Sequence, residues 1–467
     1  KGIREYMKAQ KFIFISCIML FFLFLIFSGC ARASEKEEKT DQEDTFVIAL
    51  PVFSYLEDET AKNKINKIME KELGVKIDIK LIDFDHYEQN VKKMIANGEQ
   101  VDILVNLCNM YVEGAVRGDL LELTDLLEKE GKGILSTIGK NLMATCTMNG
   151  GIYGIPNIRD HAVRTDTYYL NREILERNQI NPKEIRSLEE LETVFEKIHE
   201  NEPDTIVVSS NLQTLCGNDY YLSANSSYPI GVLEDEGRGD LYMNLFESEE
   251  YRKRLEIVQR WHEKGYIQNE LKSEKVVNKK GETFAFIRCG KPGGEEEMKR
   301  LTSKEYYELQ LGEDVITQAS YMIFTYGISK NTISAEKSIK ILEILYQNRD
   351  INNILKKMIP EWVLPNLFLT DSDAECSENL WEEVKRFERN ARKSNDIGFV
   401  FDPSSVMEEY LKVCKIYNRY RVLLENGIFE YEKLLRQMNQ EMNDAGIDIV
   451  IQEKNRQYQL WKNSRQF

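Results

Sequence analysis

Apolar residues along this chain change their period repeatedly, and each change marks an element. Residues 46–51 (FVIALP) are continuously apolar and end in a proline, the pattern of a buried strand. Residues 58–73 place Ile65, Ile68, Met69 and Leu73 at helical spacing. Residues 75–81 (VKIDIKL) alternate with period two, 87–96 return to a helical stripe, and 101–107 (VDILVNL) read as a third strand. Strand, helix, strand, helix, strand at this spacing predicts a parallel sheet with helices on its faces.

The alternation continues downstream. Residues 120–127 precede a glycine-containing turn and then Tyr153-Gly154-Ile155-Pro156. Ser187-Leu188-Glu189-Glu190 matches a capping box, because the serine hydroxyl and the glutamate can each satisfy a free amide of the first turn. It predicts a helix running to about Glu200. Residues 205–208 suggest a short strand and 251–264 an amphipathic helix, with Trp261 on its packing side. Residues 284–287 suggest a strand that delivers 288–294 into a loop. Further helices are predicted at 335–347 and 430–443, and no internal repeat is found.

The N-terminus follows different rules. Lys8 and Lys11 precede residues 12–27, an apolar run broken only by Ser16 and Cys17 that exits at Ser28-Gly29-Cys30. A positive start, an apolar run and small exit residues form a secretory signal. Small residues directly before a cysteine suit a processing enzyme that must reach a lipidated thiol. Residues 1–29 are therefore expected to be a lipoprotein signal starting at Met7, with Cys30 as the lipid attachment. Phe27 stands where a leucine is usual. A retained anchor is the alternative, although the run is 16 residues against roughly 20 for a spanning helix. Residues 30–45 are polar and charge-mixed, as expected of a disordered tether.

Length and charge narrow the class. A chain of 467 residues exceeds one ordinary core and suggests two lobes. Apolar residues at 42% and charged ones at 30% describe a globular body. Loss of residues 1–29 removes Lys1, Arg4, Lys8, Lys11 and Glu5, a net +3, so the charge moves from −16 to −19. Such a surface argues against nucleic acid as a partner. Cys108, Cys146, Cys216, Cys289, Cys376 and Cys414 are scattered without metal spacing and are read as mostly buried thiols rather than a disulfide framework.

Motifs for catalysis are missing from the sequence. His262-Glu263 lacks the second histidine of a zinc-protease helix, and the four histidines form no local metal motif. Residues 150–154 (GGIYG) lack the lysine and hydroxyl of a phosphate loop, and no GxSxG elbow occurs. No enzyme, cofactor or metal is expected.

Several stretches resemble one family. Gly398-Phe399-Val400-Phe401-Asp402-Pro403-Ser404 is similar to the GFxFDPSPV segment of its C-terminal domain. Ala445-Gly446-Ile447-Asp448 with residues 450–461 (VIQEKNRQYQLW) is similar to that domain's ending. Residues 120–130, 153–156, 261–267 and 341–346 add to the likeness. The family is that of extracellular solute-binding lipoproteins serving ATP-binding-cassette importers, in the oligosaccharide branch. Ser405 stands where the family often has proline, and 358–365 (MIPEWVLP) replaces a glycine-rich segment.

The resemblance implies an α/β protein of two lobes joined by a hinge, the type II periplasmic-binding-protein-like fold. Residues 46–156 plus 326–360 would form lobe 1, and 157–325 plus 361–467 lobe 2. A monomer tethered to the outer face of a Gram-positive cell membrane would close on an oligosaccharide and deliver it to importer permease subunits. A ligand sensor coupled to a receptor is the alternative, and a glycoside-acting enzyme ranks below it.

Ligands of open α/β sheets sit beyond the carboxyl ends of strands. That rule selects Phe53 and Tyr55 after the first strand and Asn106, Asn109 and Tyr111 after the third. Asn157, Arg159 and Arg164 follow the first crossing, Arg288 and Lys291 follow residues 284–287, and Tyr326 lies on the return. Trp362 stands in the atypical segment between Pro360 and Pro365. Aromatic faces with polar edges suit sugars, but with 23 Tyr and 20 Phe a given ring is more often packing.

Overall fold

The computed structural model describes residues 44–53, 58–107, 109–210, 228–267, 282–371 and 379–464. The expected signal and tether at 1–43, and with them Cys30, lie outside the described residues, as do Tyr55, Cys108, Cys216 and Cys376. No helix among the described residues is long and apolar enough to cross a membrane.

In chain order, the strands of the two main sheets are β1 (Thr45–Val52), β2 (Lys76–Asp83), β3 (Ile103–Leu107), β4 (Ile155–Pro156), β5 (Thr167–Asn171), β6 (Ile206–Ser210), β7 (Thr283–Ile287), β8 (Tyr306–Gln310) and β9 (Phe324–Ile328). The first sheet has the order β2-β1-β3-β9-β4 and the second β8-β5-β7-β6. β1 lies parallel to β2 and β3, as the alternation predicted. β9, however, is antiparallel to β3 and β4, and β5 is antiparallel to β7 and β8. Both sheets are thus mixed: the parallel expectation holds for β1, β2 and β3, and later strands add antiparallel neighbours. The reason is topological. β9 re-enters the first sheet from its carboxyl edge, pairing Phe324 with Leu107, and must run against its neighbours.

Local signals place the helices. α1 (Glu59–Leu73) starts at Asp58, whose carboxylate accepts from the Ala61 amide at 3.0 Å, and stops at Gly74 with φ 65°. It buries Ala61, Ile65 and Met69. α2 (Phe84–Ala96) and α3 (Met110–Arg117) follow β2 and β3. α4 (Leu188–Asn201) is capped by Ser187, which accepts from the Glu190 amide at 3.2 Å. Glu190 in return accepts from the Arg186 amide, one residue earlier than a standard box. α5 (Glu249–Glu263) buries Tyr251, Leu255, Val258 and Trp261. The Trp261 ring meets Phe195 edge-on at 5.1 Å, so it packs as expected. α6 (Gly294–Thr302), α7 (Ala335–Gln347), α8 (Leu380–Asn390), α9 (Met407–Glu425), α10 (Tyr431–Ala445) and α11 (Ile447–Ser464) complete the main helices.

Two large cores result. One gathers side chains from Phe46 to Ile155 and from Tyr326 to Leu367. The other gathers Tyr168 to Leu309 and Phe399 to Tyr458. Val363, Leu364 and Leu367 are buried in the first core. The first body therefore keeps the chain beyond residue 360, a shift from the expected boundary caused by three apolar side chains of the 361–367 segment.

Residues 398–402 tie the bodies together. Their side chains alternate as in a strand: Phe399 and Phe401 enter the second core, while Val400 joins Tyr111, Cys146, Met148 and Met322 in a separate cluster. Gly398 has φ 95°, a conformation that favours glycine. Its amide donates to Gln318 Oε1 at 2.7 Å, and Gln318 Nε2 donates to the Thr145 carbonyl at 2.6 Å. Asn149 donates its side-chain amide to Asp402. Cys146 and Cys414 are buried thiols outside any disulfide, and burial pushes each thiol up to about 12.

Candidate functional site

At the carboxyl edge of the first sheet four aromatic rings converge. Phe53 follows β1, Phe84 opens α2 directly after β2, and Phe324 opens β9 at the same edge. Trp362 comes from a 3-10 turn at Glu361–Val363. Its ring lies 4.4 Å from Phe324, 5.6 Å from Phe84 and 5.7 Å from Phe53, and Phe53 and Phe84 are 5.0 Å apart. Phe53 is 53% exposed, a high value for a phenylalanine in a ring cluster. The other three are half-buried. Open ring faces of this kind suit the apolar face of a pyranose.

A charged rim adjoins the rings. The Arg159 guanidinium stands 5.6 Å from the Phe324 centroid, donates to the Asp160 carbonyl and lies 3.5 Å from that carboxylate. Asp160 is buried and also faces Lys291 Nζ at 3.3 Å. Burial raises its carboxyl, but Lys291 and Arg159 outweigh burial and hold it below the ordinary range. Lys291 is raised in turn, chiefly by Asp160. Arg288 donates to Glu297 at 2.9 Å, and burial of Glu297 is outweighed by Lys291 and Arg288. The cations that the strand-exit rule picked near the second sheet are therefore already matched by carboxylates of this chain.

The remaining candidates divide by burial. Arg164 donates to Glu308 at 2.6 Å, lies 3.4 Å from Asp314, and covers the Phe387 ring at 4.9 Å. With Lys291, Glu296, Glu383 and Arg386 it lines a cavity of about 450 Å³ between the start of α6 and α8. Glu308 is pushed up by burial against the pull of Arg164. Tyr111 is fully buried, donates its hydroxyl to the Cys146 carbonyl, and accepts from the Tyr153 amide at 3.3 Å. Asn106 is fully buried and donates to Thr325 Oγ1 at 3.1 Å. Asn157 donates to the Trp362 carbonyl at 2.8 Å, and Tyr326 donates its hydroxyl to the Val363 carbonyl at 2.7 Å. Asn109 is half-buried where α3 begins.

Of the twelve candidate contacts, then, Phe53 and Trp362 come together at one place, and Arg159 and Lys291 form the rim beside them. Arg288 lies with the rim, and Arg164 lines the neighbouring cavity. Asn106, Tyr111, Asn157 and Tyr326 are buried interior groups whose donors bond within the protein. The sequence reading missed Phe84, Phe324, Asp160 and Glu297. Phe84 could have been found, since it sits at a strand exit like Phe53. Phe324 could not, because only the antiparallel return of β9 brings its first residue to that edge.

Comparison with known proteins agrees with this architecture. A family model described as a domain of unknown function (DUF3502) matches residues 396–463, which spans both stretches that carried the resemblance. A carbohydrate ABC transporter substrate-binding protein of Streptococcus pneumoniae serotype 4 is 22% identical over 438 residues, covering 86% of this chain and 87% of its own. The N-glycan transport solute binding protein (NgtS) from Streptococcus pneumoniae, in complex with Man1GlcNAc, aligns with a TM-score of 0.77 at 20% identity, over 89% of this chain and 99% of that one. The ABC substrate-binding protein Lmo0181 from Listeria monocytogenes, in complex with cycloalternan, aligns at 0.59 and 15% identity, over 86% and 98%. The chain has the two-lobed α/β fold of ABC solute-binding proteins.

Proposed function

We propose that the protein captures an oligosaccharide at the Phe53–Phe84–Phe324–Trp362 cluster by closure of its two lobes and delivers it to an ABC importer. The observation that carries this is a half-open aromatic surface beside a rim whose charges are paired with one another. Rings offer a sugar an apolar face, and carboxylates and guanidinium groups already held in pairs still accept and donate hydrogen bonds at its hydroxyls. Because each rim cation is paired, the reading favours a neutral glycan over a uronate. The likeness to sugar-binding relatives supports the same class.

Closure is proposed to turn on the crossings near residues 157–163 and 316–324, with lobe 1 continuing to about residue 367. Lipid attachment at Cys30 would keep a monomer on the outer face of the membrane, close to permease subunits, where tethering raises local concentration. No catalytic role is assigned. Calorimetric titration of the purified protein with maltotetraose, Man1GlcNAc, a uronate oligosaccharide and a short peptide tests the reading. Binding of a neutral glycan, lost in Trp362→Ala, is expected. Binding of the peptide with silence from every sugar would sink it, and so would hydrolysis of the glycans during the titration. For the anchor, fatty-acid labelling that survives Cys30→Ala would count against it.

A further inference from the structure

We propose that Asn157 and Tyr326 are positioning residues that hold Trp362 in its working orientation and so set the affinity of the ring cluster, without touching ligand themselves. The inference rests on the reading of that cluster as a sugar site. Each side chain is 1% exposed, so neither can meet a ligand from solvent. Their polar atoms instead go to two successive carbonyls of one segment, Asn157 to Trp362 and Tyr326 to Val363.

That segment needs such partners. A turn of three residues, Glu361–Val363, supports few internal bonds: the Val363 amide donates to Pro360 at 2.9 Å and the Leu364 amide to Glu361 at 3.1 Å. The carbonyls of Trp362 and Val363 lie past the turn's own donors, and carbonyls close to a core need a partner. Further bonds run the same way. The Ile158 amide donates to the Pro365 carbonyl at 2.9 Å, and the Leu367 amide donates to the Ile158 carbonyl at 2.8 Å. Val363 and Leu364, on either side of the turn's end, are buried. The Trp362 ring itself touches other rings and is half-buried, so its direction is inherited from the backbone beneath it. A stacking surface works only when held within about 0.5 Å and 10–20° of its productive placement.

Both anchors also belong to crossings of the chain. Tyr326 lies on β9, and Asn157 directly follows β4, where Tyr346 donates its hydroxyl toward the carbonyls of Ile155 and Pro156 at 3.0 and 3.1 Å. Two of the chain's crossings between the cores thereby fix the ring that meets the sugar.

The test uses Tyr326→Phe, which keeps the ring and removes only the donor, beside Asn157→Ala, Trp362→Phe and Trp362→Ala in the purified protein. Acrylamide quenching of the Trp362 emission, taken as the signal lost in Trp362→Phe, should rise in both anchor variants without any sugar present. Affinity for whichever of maltotetraose and Man1GlcNAc the unaltered protein binds should fall by about five- to tenfold in each anchor variant. In the Trp362→Ala background, adding Tyr326→Phe should change affinity by less than about twofold, because the group it positions is gone. Unchanged quenching in both variants overturns the proposal. An equal loss from Tyr326→Phe with and without Trp362 overturns it too, since that is the mark of a general structural role. Should Trp362→Ala bind the glycan like the unaltered protein, the sugar-site reading fails, and the quenching result still decides whether the anchors hold the ring.

Discussion

Residues 398–402 and 360–365 both lie where the chain passes between the cores, and they are built in opposite ways. In 398–402 the side chains do the binding: Phe399 and Phe401 go to one body and Val400 to a cluster shared with the other. In 360–365 the backbone is tied down by Asn157, Ile158 and Tyr326, and the one large ring is left half-open. The first stretch falls within the residues that the family model matches and is a brace. The second lies outside the residues that the family model matches and carries the ring at the centre of the candidate site. A segment that consumes its side chains in packing cannot also offer them to a ligand. A segment held through its carbonyls can.

Removing a brace ring tests the first half of that contrast. Phe399 is 3% exposed, within 5.3 Å of the Tyr458 ring and 5.8 Å of Trp461. Phe399→Ala should cost about 3–5 kcal/mol of stability, read by chemical denaturation, with glycan affinity of the folded fraction unchanged. A large affinity loss there would erase the distinction between brace and site.

The converse is expected of Trp362→Ala. Glycan affinity should fall by about 2 kcal/mol, roughly thirtyfold, as for a hot-spot ring, while the denaturation midpoint moves less than in Phe399→Ala. Calorimetry and denaturation on the same preparations give both numbers.

Electrostatics sharpen the comparison further. Beside the brace, Lys454 is buried, its Nζ donates to the Gly231 carbonyl at 2.8 Å, and it lies 4.2 Å from the Tyr242 ring centroid. Burial lowers it from 10.5 to about 7, against the attraction of Asp396. Between those two values the unfolded chain holds a proton that the folded one lacks. Stability should therefore rise with pH from about 7 to 8.5, by at most about 1.4 kcal/mol per unit, and flatten below 7, whereas above about 9 the raised Cys146 and Cys414 thiols act in the opposite sense. In Lys454→Met that slope should vanish. A slope that persists in the variant would assign it to another group.

The smallest effect is expected at Asp402→Asn. Its partner Asn149 lies at an exposed turn, so the loss should stay under about 1 kcal/mol. A larger loss would mean that the polar end of the brace, not Val400, carries the contact.

Local patterns in the chain are enough to place most of its helices and strands. Caps at Asp58 and Ser187, the apolar stripes of α1 and α5, and the alternation in 398–402 are local patterns whose cause lies within a few residues. Phe53 was legible for the same reason, as the first residue past a buried strand. Tertiary structure alone decided which exits meet. The antiparallel return of β9 brings Phe324 to the edge of Phe53 and Phe84 and turns Tyr326 inward. Three buried side chains pull 361–367 into the first core, and the same return aims the Tyr326 hydroxyl at that segment. Contacts between residues 37 to 205 positions apart, such as Tyr326 with Val363 and Asn157 with Trp362, leave no periodicity to read. The strand-exit rule therefore named Asn157, Tyr326 and Trp362, and only the fold showed that the first two are tied to the segment bearing the third.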